Sequence, residues 1–334
     1  MGRRRDTRNV SVGAMRHSAV VTLTMNPALD VTADADQVLP TEKIRCRAER
    51  YDAGGGGINV ARFIHALGEP VSAVLAAGGS TGSRVIDLVN AAGVPNTPVP
   101  IGGSTRESFT VNERTTGRQY RFVLPGPVVN AAEQDQCLDA LRRAAASARF
   151  VVASGSLPPG VRPDFYQCVA DVCRRADARL ILDASGGGLT HVTSGVRVLK
   201  PSVRELRECI GRPLDTEAEQ IAAARELIAR GMTDAVVVSL GSQGALVVES
   251  SRSERVPAIA ANTVSGVGAG DAMVAGMVVG LLRGWALGRA VGYGTAAAAA
   301  KLQTPGTSAF CLTDVDRLFG NSVKTGSESV IISS

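Results

Sequence analysis

The chain has 334 residues, 45% hydrophobic and only 4% aromatic, with a formal charge of +5. Five arginines and a single aspartate precede Ser18, so nearly all of that charge sits in an N-terminal tail, and the body lacks the basic surface that holds nucleic acid. No apolar stretch reaches the ~18 residues of a membrane span, and six cysteines without a Cys-x-x-Cys pair imply neither a disulfide framework nor a zinc site, so a cytoplasmic protein with reduced thiols is expected.

In chain order, residues 1–17 are expected to be a disordered basic tail, followed by one large unit over 18–319 and a flexible tail over 320–334. Runs rich in Val and Ile predict buried strands at Ala19–Leu23, Val71–Ala76, Phe150–Ala153, Leu180–Leu182, Val196–Leu199 and Ala235–Leu240. Between them, apolar residues at helical spacing predict helices at Ile58–Leu67, Gly82–Ala92, Ala131–Ala146, Pro163–Arg175 and Thr216–Arg230. Strand, helix, strand in repetition implies an α/β fold with a mostly parallel sheet covered on both faces. Two segments break the rhythm. Val31–Tyr51 and Ser108–Val123 alternate apolar with polar residues, which predicts paired strands outside the main sheet: a small lid, an edge for another subunit, or two surface hairpins. After Asp271 the chain reads as helical and alanine-rich to about Leu302, turns at Thr304–Thr307 and becomes polar from Gly320.

Three places carry chemistry. Gly54–Gly57 followed by Ile58-Asn59 opens a helix, and four successive glycines suit a backbone that must come close to a ligand, although a flexible connector would read the same way. Asn59 adds an amide that donates and accepts, as sugar hydroxyls require. Asp30 stands just past the carboxyl end of the first strand, where ligands of open sheets bind; alone it would equally cap a turn. Ser265-Gly-Val-Gly-Ala-Gly-Asp271 leads directly into an apolar helix. Its amides and the helix dipole would hold an anion, and Asp271 in the first turn would accept a hydroxyl proton, the pairing that phosphoryl transfer needs. An Asp that merely starts a helix would look the same. No Gly-Lys pair supports a Walker loop, and Asp271 stands where a Rossmann fingerprint requires its last glycine.

The ordered set of motifs is more specific than any member. The glycine quartet with Ile-Asn, then Ser154-Gly-Ser-Leu-Pro-Pro-Gly160, Lys200-Pro201, Ser239-Leu240-Gly241 and Gly268-Ala-Gly-Asp271 resembles the ribokinase-type (PfkB) carbohydrate kinases, over roughly Val20 to Asp316. Within them the pattern is most similar to the minor, PfkB-type 6-phosphofructokinases. The resemblance implies a three-layer α/β/α ribokinase-like fold with a β lid, within 31–51 and 106–124, that forms a homodimer interface. It implies ATP-dependent phosphorylation of fructose 6-phosphate at its 1-hydroxyl with Mg2+, and K+ as an activator held by the turn from Gln303 to Ser308 and the loop before Asp271. The rival readings are a fructose 1-phosphate or tagatose 6-phosphate kinase, and a non-catalytic sugar-phosphate sensor.

Carried over by position, Asp271 resembles the general base, with Gly268, Ala269 and Gly270 supplying amides to the transferring group. Asp30, Gly55, Gly56 and Asn59 would hold sugar hydroxyls, with Ser154 and Ser156 beside them. Lys43 and Arg45 on one lid strand, Arg106 after a glycine turn and Arg121 on the other lid strand would hold the existing 6-phosphate, with reach into a partner subunit. Ser239, Gly241 and Gly244 resemble the loop that meets ATP, Lys200 the phosphate ligand and Glu205 the residue that holds magnesium through water. Two positions depart from type: Ser202 replaces the usual Asn after Lys200-Pro201, and Gly266 replaces the usual Thr. The glycine quartet also differs from the Gly-Lys-Gly form common in 1-phosphofructokinases, which leans towards a 6-phosphate substrate.

Overall fold

The computed structural model describes residues 18–328; the basic tail and the last six residues of the C-terminal tail lie outside them. Strand β1 (Val20–Thr24) opens the main sheet and is followed by the lid strands β2 (Ala28–Ala35) and β3 (Arg47–Gly54). Helix α1 (Gly56–Ala66), β4 (Val71–Ala77), α2 (Gly79–Ala91) and β5 (Asn96–Pro100) come next, then the lid strands β6 (Arg106–Glu113) and β7 (Gln119–Val123). The centre continues through α3 (Ala131–Ala145), β8 (Phe150–Ser156), α4 (Phe165–Arg175), β9 (Arg179–Ser185) and β10 (Val196–Leu199). Beyond it lie α5 (Val203–Ile210), α6 (Glu217–Ala229), β11 (Ala235–Ser239), β12 (Ala245–Glu249) and β13 (Ser253–Val256). The chain closes with α7 (Ala269–Leu282), α8 (Leu287–Leu302) and α9 (Leu312–Glu328).

The main sheet has nine strands in the order β13-β12-β11-β10-β9-β8-β1-β4-β5, parallel from β5 to β11, with β12 antiparallel to both β11 and β13 at one edge. Successive strand residues point to opposite faces, and two cores result. Val20, Leu75, Val152 and Val237 pack with α1, α7 and α8 on one side; Val21, Leu23, Val151 and Leu182 pack with α3, α4 and α6 on the other. This is the expected three-layer arrangement. Among the described residues no helix is long and apolar enough to cross a membrane.

Helix α7 is buried continuously from Ala272 to Gly280, so it has no solvent face. Its glycines let α8 approach closely: a Cβ on Gly276 would lie 2.8 Å from the Gly294 Cα, and one on Gly280 would lie 2.8 Å from the Ala290 Cα. That packing fixes where the first turn of α7, with Asp271, must stand.

The lid is a separate four-stranded sheet, β3-β2-β6-β7, in which β2 and β6 run parallel. Its register places Tyr51, Val31, Phe109 and Phe122 in one cross-strand row, and Asp52, Asp30, Ser108 and Val123 in the next. Adjacent rows face opposite ways.

Several elements differ from expectation. Lys43 and Arg45 are not on a lid strand; both stand exposed in the segment between β2 and β3. Strand β5 was hidden by Pro98 and Pro100, which an edge strand tolerates because one side makes no ladder. The β12–β13 hairpin and the short α5 were also unpredicted. Helix α9 runs on past Gly320 to Glu328, where a loose segment was expected.

Candidate active site

The glycine quartet joins β3 to α1, and each of its members is fixed by protein neighbours. A Cβ would fall 2.3 Å from Asp30 Oδ2 at Gly54, 2.2 Å from Ser154 Oγ at Gly56 and 2.4 Å from Thr24 Oγ1 at Gly57. Gly55 has φ 115°, a conformation that L side chains rarely adopt. The quartet therefore lets α1 start against the carboxyl ends of β1 and β8, and it leaves Gly55 and Gly56 on the wall of a polar cleft of about 520 Å³. Asp30, Asn59, Ser154, Ser156, Gly268 and Asp271 line the same cleft, as do Arg106 and Arg121 from the lid.

Gly268 caps α7 with φ 80°, and Asp271 is the third residue of the helix. Asn59 Nδ2 donates to Asp271 Oδ2 at 2.9 Å, so the amide expected to meet a sugar also orients the carboxylate; its own Oδ1 is buried without a protein partner. Asp271 is half-buried and lines the polar cleft. Burial, then the negative charge of Asp183, push its pKa up to about 7 against the pull of Asn59, Lys200 and Arg121. Such a carboxyl is tuned to exchange a proton near neutrality.

Asp30 is raised to about 6, by burial foremost, with Arg121 and Arg106 opposing. Arg106 donates to the carbonyls of Leu124 at 2.7 Å and Asn26 at 3.1 Å, leaving its buried Nε free. Arg121 is exposed at the rim. Lys43 and Arg45 do not line this cleft, so within one subunit the expected quartet of cations is a pair.

A second cleft, about 710 Å³ and largely apolar, is lined by Ser239, Gly241, Gly244, Ile259, Met273 and Thr295, together with Ala269 and Gly270. Gly244 is required by the hairpin: a Cβ there would lie 2.1 Å from the Val256 carbonyl oxygen. A Cβ on Gly270 would meet nothing within 4 Å, so its surroundings are open. The first turn of α7 thus stands between two clefts, Gly268 and Asp271 facing the polar one and Ala269 and Gly270 the apolar one.

Lys200 and Glu205 line neither cleft. The Lys200 ammonium is buried and bonded to Asp183 at 2.9 Å. Burial pulls its pKa down, but Asp183, Glu205 and Asp271 outweigh that and hold it charged. Glu205 closes a capping box on α5: its Oε2 accepts from the Ser202 N and Oγ, both at 2.8 Å. The serine that departs from type is therefore a helix cap. Among the described residues no three His, Cys, Asp or Glu side chains converge as a metal site.

Sequence reasoning missed Asp183, Ser108 and Arg204 on the polar cleft. Asp183 had a readable signal, a place near the carboxyl end of the parallel strand β9, but the apolar run Leu180–Leu182 stopped the predicted strand short of it; Asp30, expected just past β1, lies on the lid strand β2. Arg204, in the first turn of α5, had no such signal.

The model of the pfkB family carbohydrate kinases matches residues 15–314. The chain is 63% identical over 300 residues to the ATP-dependent 6-phosphofructokinase isozyme 2 of Mycobacterium tuberculosis, covering 90% of this chain and 88% of that protein. Crystal structures of phosphofructokinase-2 from Escherichia coli superpose with a TM-score of 0.84 for the complex with fructose-6-phosphate and 0.86 for the complex with potassium. These are 34% and 35% identical, and each covers 91% of this chain and 99% of its own. With the motifs, the two-cleft geometry and the family match in agreement, the chain belongs to the pfkB family of carbohydrate kinases.

Proposed function

We propose that this kinase moves the γ-phosphoryl group of ATP to the 1-hydroxyl of fructose 6-phosphate. The observation that carries it is the position of the first turn of α7 between a polar cleft suited to a sugar phosphate and an apolar cleft suited to an adenine nucleotide. Asp271 accepts the hydroxyl proton as the new O–P bond forms and the bond to the leaving ADP breaks; the amides of Ala269 and Gly270, at the positive end of α7, hold the developing charge. Asn59 keeps the carboxylate aimed. Asp30 and Ser154 hold sugar hydroxyls, and Arg106 with Arg121 holds the 6-phosphate. Lys43 and Arg45 reach a phosphate only across a subunit boundary. Mg2+ carried on the polyphosphate would neutralise part of its charge, and Glu205 would be the residue that meets its waters.

The lid supports a homodimer as the working form. Its row of Tyr51, Phe109 and Phe122 is 39%, 40% and 55% exposed and faces away from the cleft, an apolar patch that a second copy of the lid would cover.

A steady-state scan with Mg-ATP and three sugar phosphates tests the reading. Fructose 6-phosphate should give the highest kcat/KM. Preference for fructose 1-phosphate or tagatose 6-phosphate would move the assignment within the family, and absence of ADP release with all three would leave a sensor.

A further inference from the structure

The lid strands join the body at four roots, and two arginines hold them. Arg106, itself at the start of β6, donates to the Asn26 carbonyl just before β2 and to the Leu124 carbonyl just after β7. The remaining root, the end of β3, is held by Arg62 of α1, whose Nη1 donates to the Ala53 carbonyl at 3.3 Å and to Thr307 Oγ1 at 3.4 Å. Thr307 is buried in the turn after α8 and lines neither cleft. The β3 root is therefore tied to a part of the body that stands outside the site.

A second arginine works at the same junction. Arg50 Nε donates to Asp52 Oδ2 at 2.8 Å, and the Arg50 guanidinium lies against Gly306, where any Cβ would collide with it. Asp52 is the cross-strand partner of Asp30, so the row of lid residues that faces the sugar cleft runs directly into this clasp. Burial foremost, and then Arg50, lower the Arg62 pKa while Asp52 and Asp30 pull it back up; the guanidinium stays charged. The helix that carries Arg62 also carries Asn59, one turn earlier, which orients Asp271.

We infer that Arg62 is a positioning residue for sugar binding: it makes the turn at 303–308 a lever on the lid, setting Asp30 and the glycine backbone of 54–57 against the sugar through Ala53. That role rests on the polar cleft being the sugar-phosphate site. With the turn released from Arg62, the β3 root is no longer held, and lid closure has to order it before the cleft is complete. Sugar affinity then falls. The nucleotide cleft, built from α7, α8 and the segments around Gly241 and Ile259, keeps its walls.

Two substitutions test the lever from its two ends. Arg62→Met removes both hydrogen bonds, whereas Thr307→Val removes only the remote acceptor and keeps every charge. Calorimetric binding of fructose 6-phosphate to the full chain without nucleotide, steady-state kinetics and hydrogen–deuterium exchange are measured for each and for the double variant. Arg62→Met should weaken fructose 6-phosphate binding and raise its KM about tenfold, the order of one hydrogen bond to a charged group, with kcat and the KM for ATP near wild type. Thr307→Val should act in the same direction by a smaller factor, and exchange over residues 51–54 should rise in both. The double variant should be no worse than Arg62→Met, because both changes break one link. Additive losses, exchange in Thr307→Val confined to the turn, or equal effects on both KM values overturn the lever. Should Arg62→Met fail to fold, Thr307→Val alone decides. A wild type that binds no sugar phosphate refutes the sugar reading of the cleft, while exchange over 51–54 still decides whether the turn holds the lid.

Discussion

Asp271 has a raised pKa of about 7 because burial and Asp183 disfavour its charged form. The base is active only when deprotonated, so kcat should climb as pH rises through about 7 and then level. Asp271→Asn should lower kcat by ~10²–10⁴-fold and remove that acid limb, because general-base help is lost; an unchanged kcat would remove Asp271 from the chemistry. The same shift acts on stability. The folded state binds this proton more tightly than the unfolded chain, so the group's contribution is fully present below the ordinary value of 3.8 and declines as pH rises to about 7. Asp271→Asn lacks that decline, and calorimetry should show its melting temperature gaining on wild type between pH 5 and pH 8.

Among the elements, the lid divides its two cleft-lining arginines by job. Arg106 is tied to the carbonyls of Leu124 and Asn26, at either end of the lid, whereas Arg121 stands at the rim. Hydrogen bonds to charged groups contribute about 1.5–3 kcal/mol, so Arg106→Ala and Arg121→Ala should each raise the sugar-phosphate KM about 10- to 100-fold with little effect on the KM for ATP. Only Arg106→Ala should also melt earlier, since it alone holds lid backbone; equal effects on both KM values would contradict the phosphate role. The central strands were legible because buried Val and Ile runs leave few alternatives, and Asp30, Asn59 and Asp271 because chain punctuation by glycine and proline brackets them. Lys200 was misplaced because sequence does not show that Asp183 lies across from it. Lys43 and Arg45 stand exposed between β2 and β3, away from the cleft, which the alternation of that segment does not reveal.

For the whole molecule, the lid row of Tyr51, Val31, Phe109 and Phe122 sets the expectation for assembly. Charged residues in the middle of such a patch oppose association, so Phe109→Glu with Phe122→Glu should shift sedimentation from dimer to monomer while far-UV circular dichroism stays unchanged. Sugar-phosphate KM should rise in the same variant if Lys43 or Arg45 acts across the interface. Dimeric sedimentation of this variant would place the interface elsewhere.

The burial of α7 on every side has a consequence for biogenesis. Strands β1 to β13 are all made before Ala269 leaves the ribosome, yet one face of their sheet, where α1 already packs, is fully covered only when α7 and α8 arrive. Until then the nascent chain displays a broad sticky surface, and the segment that supplies the base is also the keystone that ends its vulnerability to aggregation.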